Sequence, residues 1–274
     1  MTSSAKRRWG WGVLLVVLSV QLVLAQATYA PRLTRLTFIS GWLLFALLLL
    51  LTLYNGRKKL PFLPLGRSEG WLQFHIYAGF LTVVLFVLHL GVRLPTGWFE
   101  GTLAWLYVLV TGSGILGLII SRAFPKRMTT RGGEVIFEAI PVIRRALSEQ
   151  AESLALKAAT DAKASTITDF YLRHLKEFFD GPRNFLPHLL EVRSPLNALL
   201  SKIDESSRYL NEQERATMNQ LASLIRQKDG LDYHRSLQLT LKLWLFLHIP
   251  LTYSLLMFSL AHIVLVFAFS GGVK

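Results

Sequence analysis

Long uncharged apolar runs alternate with short basic segments along this chain, and the stretch from residue 123 to 235 breaks the pattern. Trp11–Thr28, Leu36–Tyr54, Trp71–Val92, Thr102–Ile120 and Leu243–Phe269 contain no Lys, Arg, Asp or Glu. Each reaches the roughly 17 residues a helix needs to cross the hydrocarbon core of a bilayer, so each predicts a transmembrane helix. The last is long enough to tilt or protrude. Residues 123–235 are rich in Leu, Ala, Glu, Lys and Arg and lack strand-like alternation. They predict helices near Val142–Ala164, Thr166–Phe179, Leu196–Tyr209 and Glu212–Lys228, with breaks at Asp180-Gly181-Pro182 and Ser194-Pro195. Asn211 followed by Glu214 forms a capping box for the fourth of these. The expected fold class is all-α. An integral membrane helical bundle of five transmembrane helices carries a helical insert, with boundaries at 1–122, 123–235 and 236–274.

Composition supports the membrane reading. The 274 residues are 52% hydrophobic with mean hydropathy +0.40. A net charge of +13 suggests nucleic acid as a partner, but its distribution excludes that class. Residues 123–235 hold 17 Lys and Arg against 15 Asp and Glu, so the excess lies at the flanks of the apolar runs. Lys6, Arg7 and Arg8, then Arg57, Lys58, Lys59 and Arg67, then Arg122, Lys126, Arg127 and Arg131 fall on one side; Arg32, Arg35, Arg93 and Lys274 fall on the other. By the positive-inside rule the N-terminus and the insert are cytoplasmic and the C-terminus is periplasmic, as expected for a bacterial inner membrane. Span one has the basic start and Ala25-Gln26-Ala27 end of a secretory signal but is read as retained. The chain has no cysteine, which excludes disulfides, cysteine-held iron–sulfur clusters and covalent haem attachment. The insert contains no G-x-G-x-x-G, P-loop or H-E-x-x-H pattern.

Against that apolar background four histidines stand out. His75 and His89 lie in span three, His248 and His262 in span five, and both separations are fourteen residues. In a helix that is about 21 Å of rise and about 40° short of four full turns, so each pair shares a face, with one member near each side of the bilayer. Ionisable residues inside a span are costly and usually face a cavity, partner or cofactor. The topology makes spans three and five parallel. His75 is therefore expected opposite His248 near the cytoplasmic side, and His89 opposite His262 near the outer side. Zinc wants about four ligands at one point, and each level offers two. Two trans imidazoles suit a haem iron, whose other ligands come from the porphyrin. The expected metal ligands are thus His75, His248, His89 and His262, holding two non-covalent haem b groups.

Other residues are assigned supporting roles. Gly79, one turn after His75, and Gly112 and Gly114 in span four give a flat cofactor room; Gly117 lies on the same helix. Arg93 is placed to pair with haem propionates at the outer side, and Arg67 and Lys242 at the cytoplasmic side. Pro250 is expected to kink span five just after His248. His234 is expected at the surface, and the fourteen-residue spacing of His174 and His188 is read as coincidence. Spans one and two carry no histidine and are read as packing or partner-binding helices.

His75-Ile-Tyr-Ala-Gly79 followed by His89 resembles the H-x3-G plus distal-histidine pattern of ferric reductase-type transmembrane domains. Paired histidines on two parallel helices are also similar to respiratory cytochrome b. The resemblance covers residues 71–122 and 241–269. It implies a four-helix dihaem core and electron transfer across the bilayer. The flavin and pyridine-nucleotide domains of such reductases are not expected, since five residues follow Phe269. The expectation is an electron-transfer subunit of an oxidoreductase complex. It would link a quinone pool to a periplasmic partner, a c-type cytochrome or an oxidoreductase subunit. The competing class is a non-redox membrane scaffold or sensor presenting the insert, its histidines serving packing or pH response. A visible redox spectrum separates the two.

Overall fold

The computed structural model describes residues 3–29, 36–59, 68–91, 95–130, 135–161, 165–208 and 210–270. Among these residues every regular element is a helix. The chain divides into two compact units, one of Met1–Leu118 with Trp244–Lys274 and one of Ile119–Leu243.

The first unit holds α1 (Ser3–Tyr29), α2 (Leu36–Lys59), α3 (Ser68–Leu90), and parts of α4 (Trp98–Thr129) and α10 (Glu212–Ser270). Five helices are long and apolar enough to cross a membrane. Their outward faces keep large apolar side chains exposed, among them Val16, Leu24, Trp105, Ile119 and Val264. Water would penalise such a surface and lipid does not.

Ring contacts fix the helix directions. Trp11 of α1 stacks on Tyr77 of α3 at 6.1 Å, and Arg7 pairs with Glu69 at 2.8 Å, so α1 and α3 run parallel. Phe38 near the start of α2 meets Phe267 near the end of α10, and Phe99 at the start of α4 stacks on Phe258 of α10. His89 at the end of α3 bonds Thr37 at the start of α2. Hence α2 and α4 run against both α3 and α10, and α3 and α10 are parallel, as the alternation of spans requires. A small core of Leu44, Leu48, Leu85, Tyr107 and Leu255 ties α2, α3, α4 and α10 together. The buried Tyr107 hydroxyl donates to Thr82 at 3.0 Å, which satisfies it away from water.

The second unit is the helical insert. Ile140, Leu147, Ala151, Ala155 and Ala158 form a buried stripe on α5 (Ile140–Asp161), and the three alanines let neighbouring chain approach closely. Against this pack α6 (Ser165–Phe170), a π-helical turn at Tyr171–Leu175, and α7 (Lys176–Asp180). The short α8 (Phe185–Leu189) and α9 (Ser194–Ser207) follow. Gly181-Pro182 ends α7, and Ser194-Pro195 opens α9, as their chemistry dictates. The capping box forms: Asn211 N donates to Glu214 Oε2 at 3.0 Å and Glu214 N to Asn211 Oδ1 at 2.8 Å.

Two expectations need correction. The helix at Glu212–Lys228 and span five are one helix, Glu212–Ser270, of 59 residues. No Pro or turn pair interrupts 229–242, and Gly230 alone is too weak a break. His234 is buried, 3% exposed, beside the fully buried Tyr233, in a stretch that also carries a buried polar cluster. Lys228 Nζ bonds Asp232 and the Gly181 carbonyl, Asp232 also accepts from Arg183 N, and Arg127 binds Glu191. His188, one of the pair read as coincidence, is buried in the same cluster, its Nε2 3.7 Å from Asp229.

Candidate cofactor site in the membrane helices

His89 and His262 come together. Their ring centres are 6.5 Å apart and their planes lie at 89°. Two imidazoles on opposite sides of one metal, each nitrogen about 2 Å from it, place their ring centres roughly 6 to 6.5 Å apart. Both rings line a cavity of about 600 Å³ inside the first unit. Phe45, Leu48, Phe86, Leu103, Leu255 and Val266 are among the residues of its apolar wall, and Thr96 and Glu100 also line it. Size and lining fit a flat, largely apolar cofactor.

His89 is anchored from α2. Its Nδ1 is 3.0 Å from the Thr37 carbonyl oxygen and 3.3 Å from Ser40 Oγ. A methyl group at Gly41 would stand 2.8 Å from His89 Cε1, so the ring occupies the space that a side chain there would fill. His262 stacks on Phe99 of α4, ring centres 6.5 Å apart at 16°. Helix α2, read from sequence as a packing or partner-binding helix, also seats one histidine and lines the cavity.

His248 lies toward the other end of the bundle. Its Nδ1 is 2.7 Å from Ser113 Oγ of α4, and its ring stacks on Trp244 at 5.5 Å and 24°. Trp244 Nε1 donates to the Ser113 carbonyl at 2.7 Å, and its indole covers Gly117 so closely that a methyl group there would overlap it. Gly114 is 3.7 Å from His248 Cε1, measured from where its methyl group would be. His75 sits 5.2 Å from the Tyr54 ring of α2. Among the described residues a ring contact joins the outer pair, and none joins His75 to His248. Pro250 lies within α10, and Thr252 Oγ1 donates to the His248 carbonyl at 2.8 Å. The proline has no N–H for the Phe246 carbonyl four residues back, so the helical bond that would span His248 is absent.

Gly79 and Gly112 have no atom within 4 Å of the space a methyl group would take, and Gly112 is exposed. Arg93 and Arg67 lie outside the described residues. Lys242 belongs to the insert, where it bonds Glu138 at 2.8 Å and lies over the Phe137 ring at 3.8 Å. That bond holds the exposed Glu138 carboxyl below its ordinary range. No group of three or more His, Asp and Glu converges among the described residues, so a zinc site of the usual ligand number is not formed there.

Sequence reading missed Thr37, Ser40, Trp244 and Tyr54. The available signal was a Ser-Gly step inside an otherwise apolar span, at Ser40-Gly41 and Ser113-Gly114. Comparison with family models, curated proteins and solved structures finds no match for this chain.

Proposed function

We propose that this chain is a membrane electron carrier that holds two b-type haems between α3 and α10. His89 and His262 would ligate the outer one, and His75 and His248 the inner one. The observation that carries the reading is the outer pair: two imidazoles at metal-sharing distance, at right angles, on a cavity of about 600 Å³. When bound, haem supplies one-electron redox chemistry. The chain's own residues bind, orient and insulate. Thr37 fixes the His89 ring, and Phe99 backs His262. The lining of the cavity is largely apolar. Trp244 and Ser113 hold His248.

The basic flanks favour a cytoplasmic insert and a periplasmic C-terminus in a bacterial inner membrane. The carrier would connect a quinone pool with a periplasmic redox partner, a c-type cytochrome or an oxidoreductase subunit, as part of a larger complex. A reduced-minus-oxidised visible spectrum of the purified protein, with haem quantified per chain, tests the proposal. Two low-spin b-type haems per chain are expected. A colourless protein, from cells replete in haem, overturns it in favour of a non-redox membrane scaffold.

A further inference from the structure

Helices α2 and α4 carry no histidine, yet each offers the same device to a histidine of a neighbouring helix. Ser40 Oγ lies 2.9 Å from the Thr37 carbonyl, and Ser113 Oγ lies 2.8 Å from the Val110 carbonyl, each three residues back on its own helix. A serine hydroxyl has one proton and two lone pairs. Once it donates that proton to its own helix, it can only accept from a third group. His89 Nδ1 faces Ser40 Oγ at 3.3 Å and His248 Nδ1 faces Ser113 Oγ at 2.7 Å. The Thr37 carbonyl, 3.0 Å from His89 Nδ1, removes the ambiguity at that site, since a carbonyl never donates. Nδ1 of His89 carries the proton, and the parallel arrangement assigns the same to His248.

The residue after each serine is glycine, and each ring lies against it. Gly41 faces His89 at a distance no real Cβ would allow, and Gly114 faces His248 at van der Waals distance. We propose that Ser40-Gly41 and Ser113-Gly114 are positioning pairs. Ser113 fixes the His248 imidazole as the Nδ1–H tautomer, Ser40 shares that role for His89 with the Thr37 carbonyl, and the missing side chain at Gly41 gives the His89 ring its place. Nε2 is left as the basic nitrogen, which is the form a metal-binding histidine requires. One histidine of each proposed haem pair is seated in this way. The purpose of the device rests on the haem reading; the tautomers themselves do not.

The test uses the full chain, purified in detergent without haem and labelled with ¹⁵N-histidine. Nitrogen chemical shifts distinguish Nδ1–H from Nε2–H, and His89→Gln and His248→Gln assign the two signals. His89 and His248 should both be Nδ1–H in the wild type; finding either as Nε2–H overturns the inference with no further variant needed. Ser113→Ala should release His248 from the Nδ1–H form, and Ser113→Thr should keep it. Ser40→Ala should leave His89 in that form, because Thr37 still accepts. An unchanged His248 tautomer in Ser113→Ala, at wild-type helical content, also overturns it. In haem-loaded protein, Ser113→Ala should weaken retention of one haem about 10- to 100-fold and leave the other unchanged. A wild type that holds no haem yet shows both Nδ1–H tautomers refutes the electron-carrier reading while leaving the seats intact, so the two failures are distinguishable.

Discussion

Gly117→Ala should be the most damaging single methyl addition in α4. The Trp244 indole lies directly on Gly117, and no side chain fits beneath it, so the ring must move. Moving it breaks the 2.7 Å bond from Trp244 Nε1 to the Ser113 carbonyl and the stack on His248. Overpacking of this kind costs about 1–3 kcal/mol. A hydrogen bond between membrane helices contributes about 0.6 kcal/mol, with an upper value near 1.7. Gly112→Ala on the same helix is the matched control, because nothing lies within 4 Å of the new methyl group. Both variants share the helix-propensity gain of roughly 0.5–1 kcal/mol that alanine has over glycine. The difference between them should therefore be about 2–4 kcal/mol. Unfolding in mixed dodecylmaltoside–SDS micelles, followed by far-UV circular dichroism, measures it. Trp244→Phe should shrink the penalty of Gly117→Ala, because a smaller ring leaves space and has no N–H to lose. If Gly117→Ala and Gly112→Ala unfold within 0.5 kcal/mol of each other, roughly the spread of substitutions that touch nothing, the packing argument is wrong.

Three further outcomes follow from other parts of the molecule. His89→Ala and His262→Ala should remove the same haem and share one redox titration, distinct from that of His75→Ala and His248→Ala; a shared phenotype for His75→Ala and His262→Ala would rule out the parallel pairing. Ser201, exposed on α9, becomes the only thiol when changed to Cys, and maleimide should reach it in intact cells only if membrane-permeant; labelling from outside would reverse the proposed sidedness. In the insert, burial pushes the Lys228 ammonium down from the usual lysine range and the Asp232 carboxyl up from the usual carboxylate range, so folding disfavours both charged forms. The Asp232 penalty is relieved as pH falls from its raised folded value to the unfolded one, and the Lys228 penalty as pH rises from its lowered folded value to the unfolded one. Lys228→Met or Asp232→Leu alone should cost about 3–5 kcal/mol by stranding a buried charge, and the double variant should cost less than either; additive losses in chemical denaturation would show that the pair is not coupled.

Much of the architecture was legible because membrane helices obey strong one-dimensional rules. A backbone in hydrocarbon must satisfy its own hydrogen bonds, so an uncharged run of sufficient length has little choice but to be a helix. That placed α1 to α4 and the apolar end of α10. It also singled out His75, His89, His248 and His262, since no Lys, Arg, Asp or Glu interrupts those spans. The capping box at Asn211 and Glu214 and the break at Gly181-Pro182 were equally local. Tertiary structure decided the rest. Residues 229–242 continue as helix, and the burial of Leu231, Tyr233, His234 and Leu237 along it is what no periodicity rule sees. The meeting of His89 with His262, and the seating of His89 and His248 on Ser-Gly pairs of other helices, depend on which helix faces come into contact. Those contacts arise from side chains 49 to 173 positions apart, and a residue's own neighbours in sequence carry no record of them.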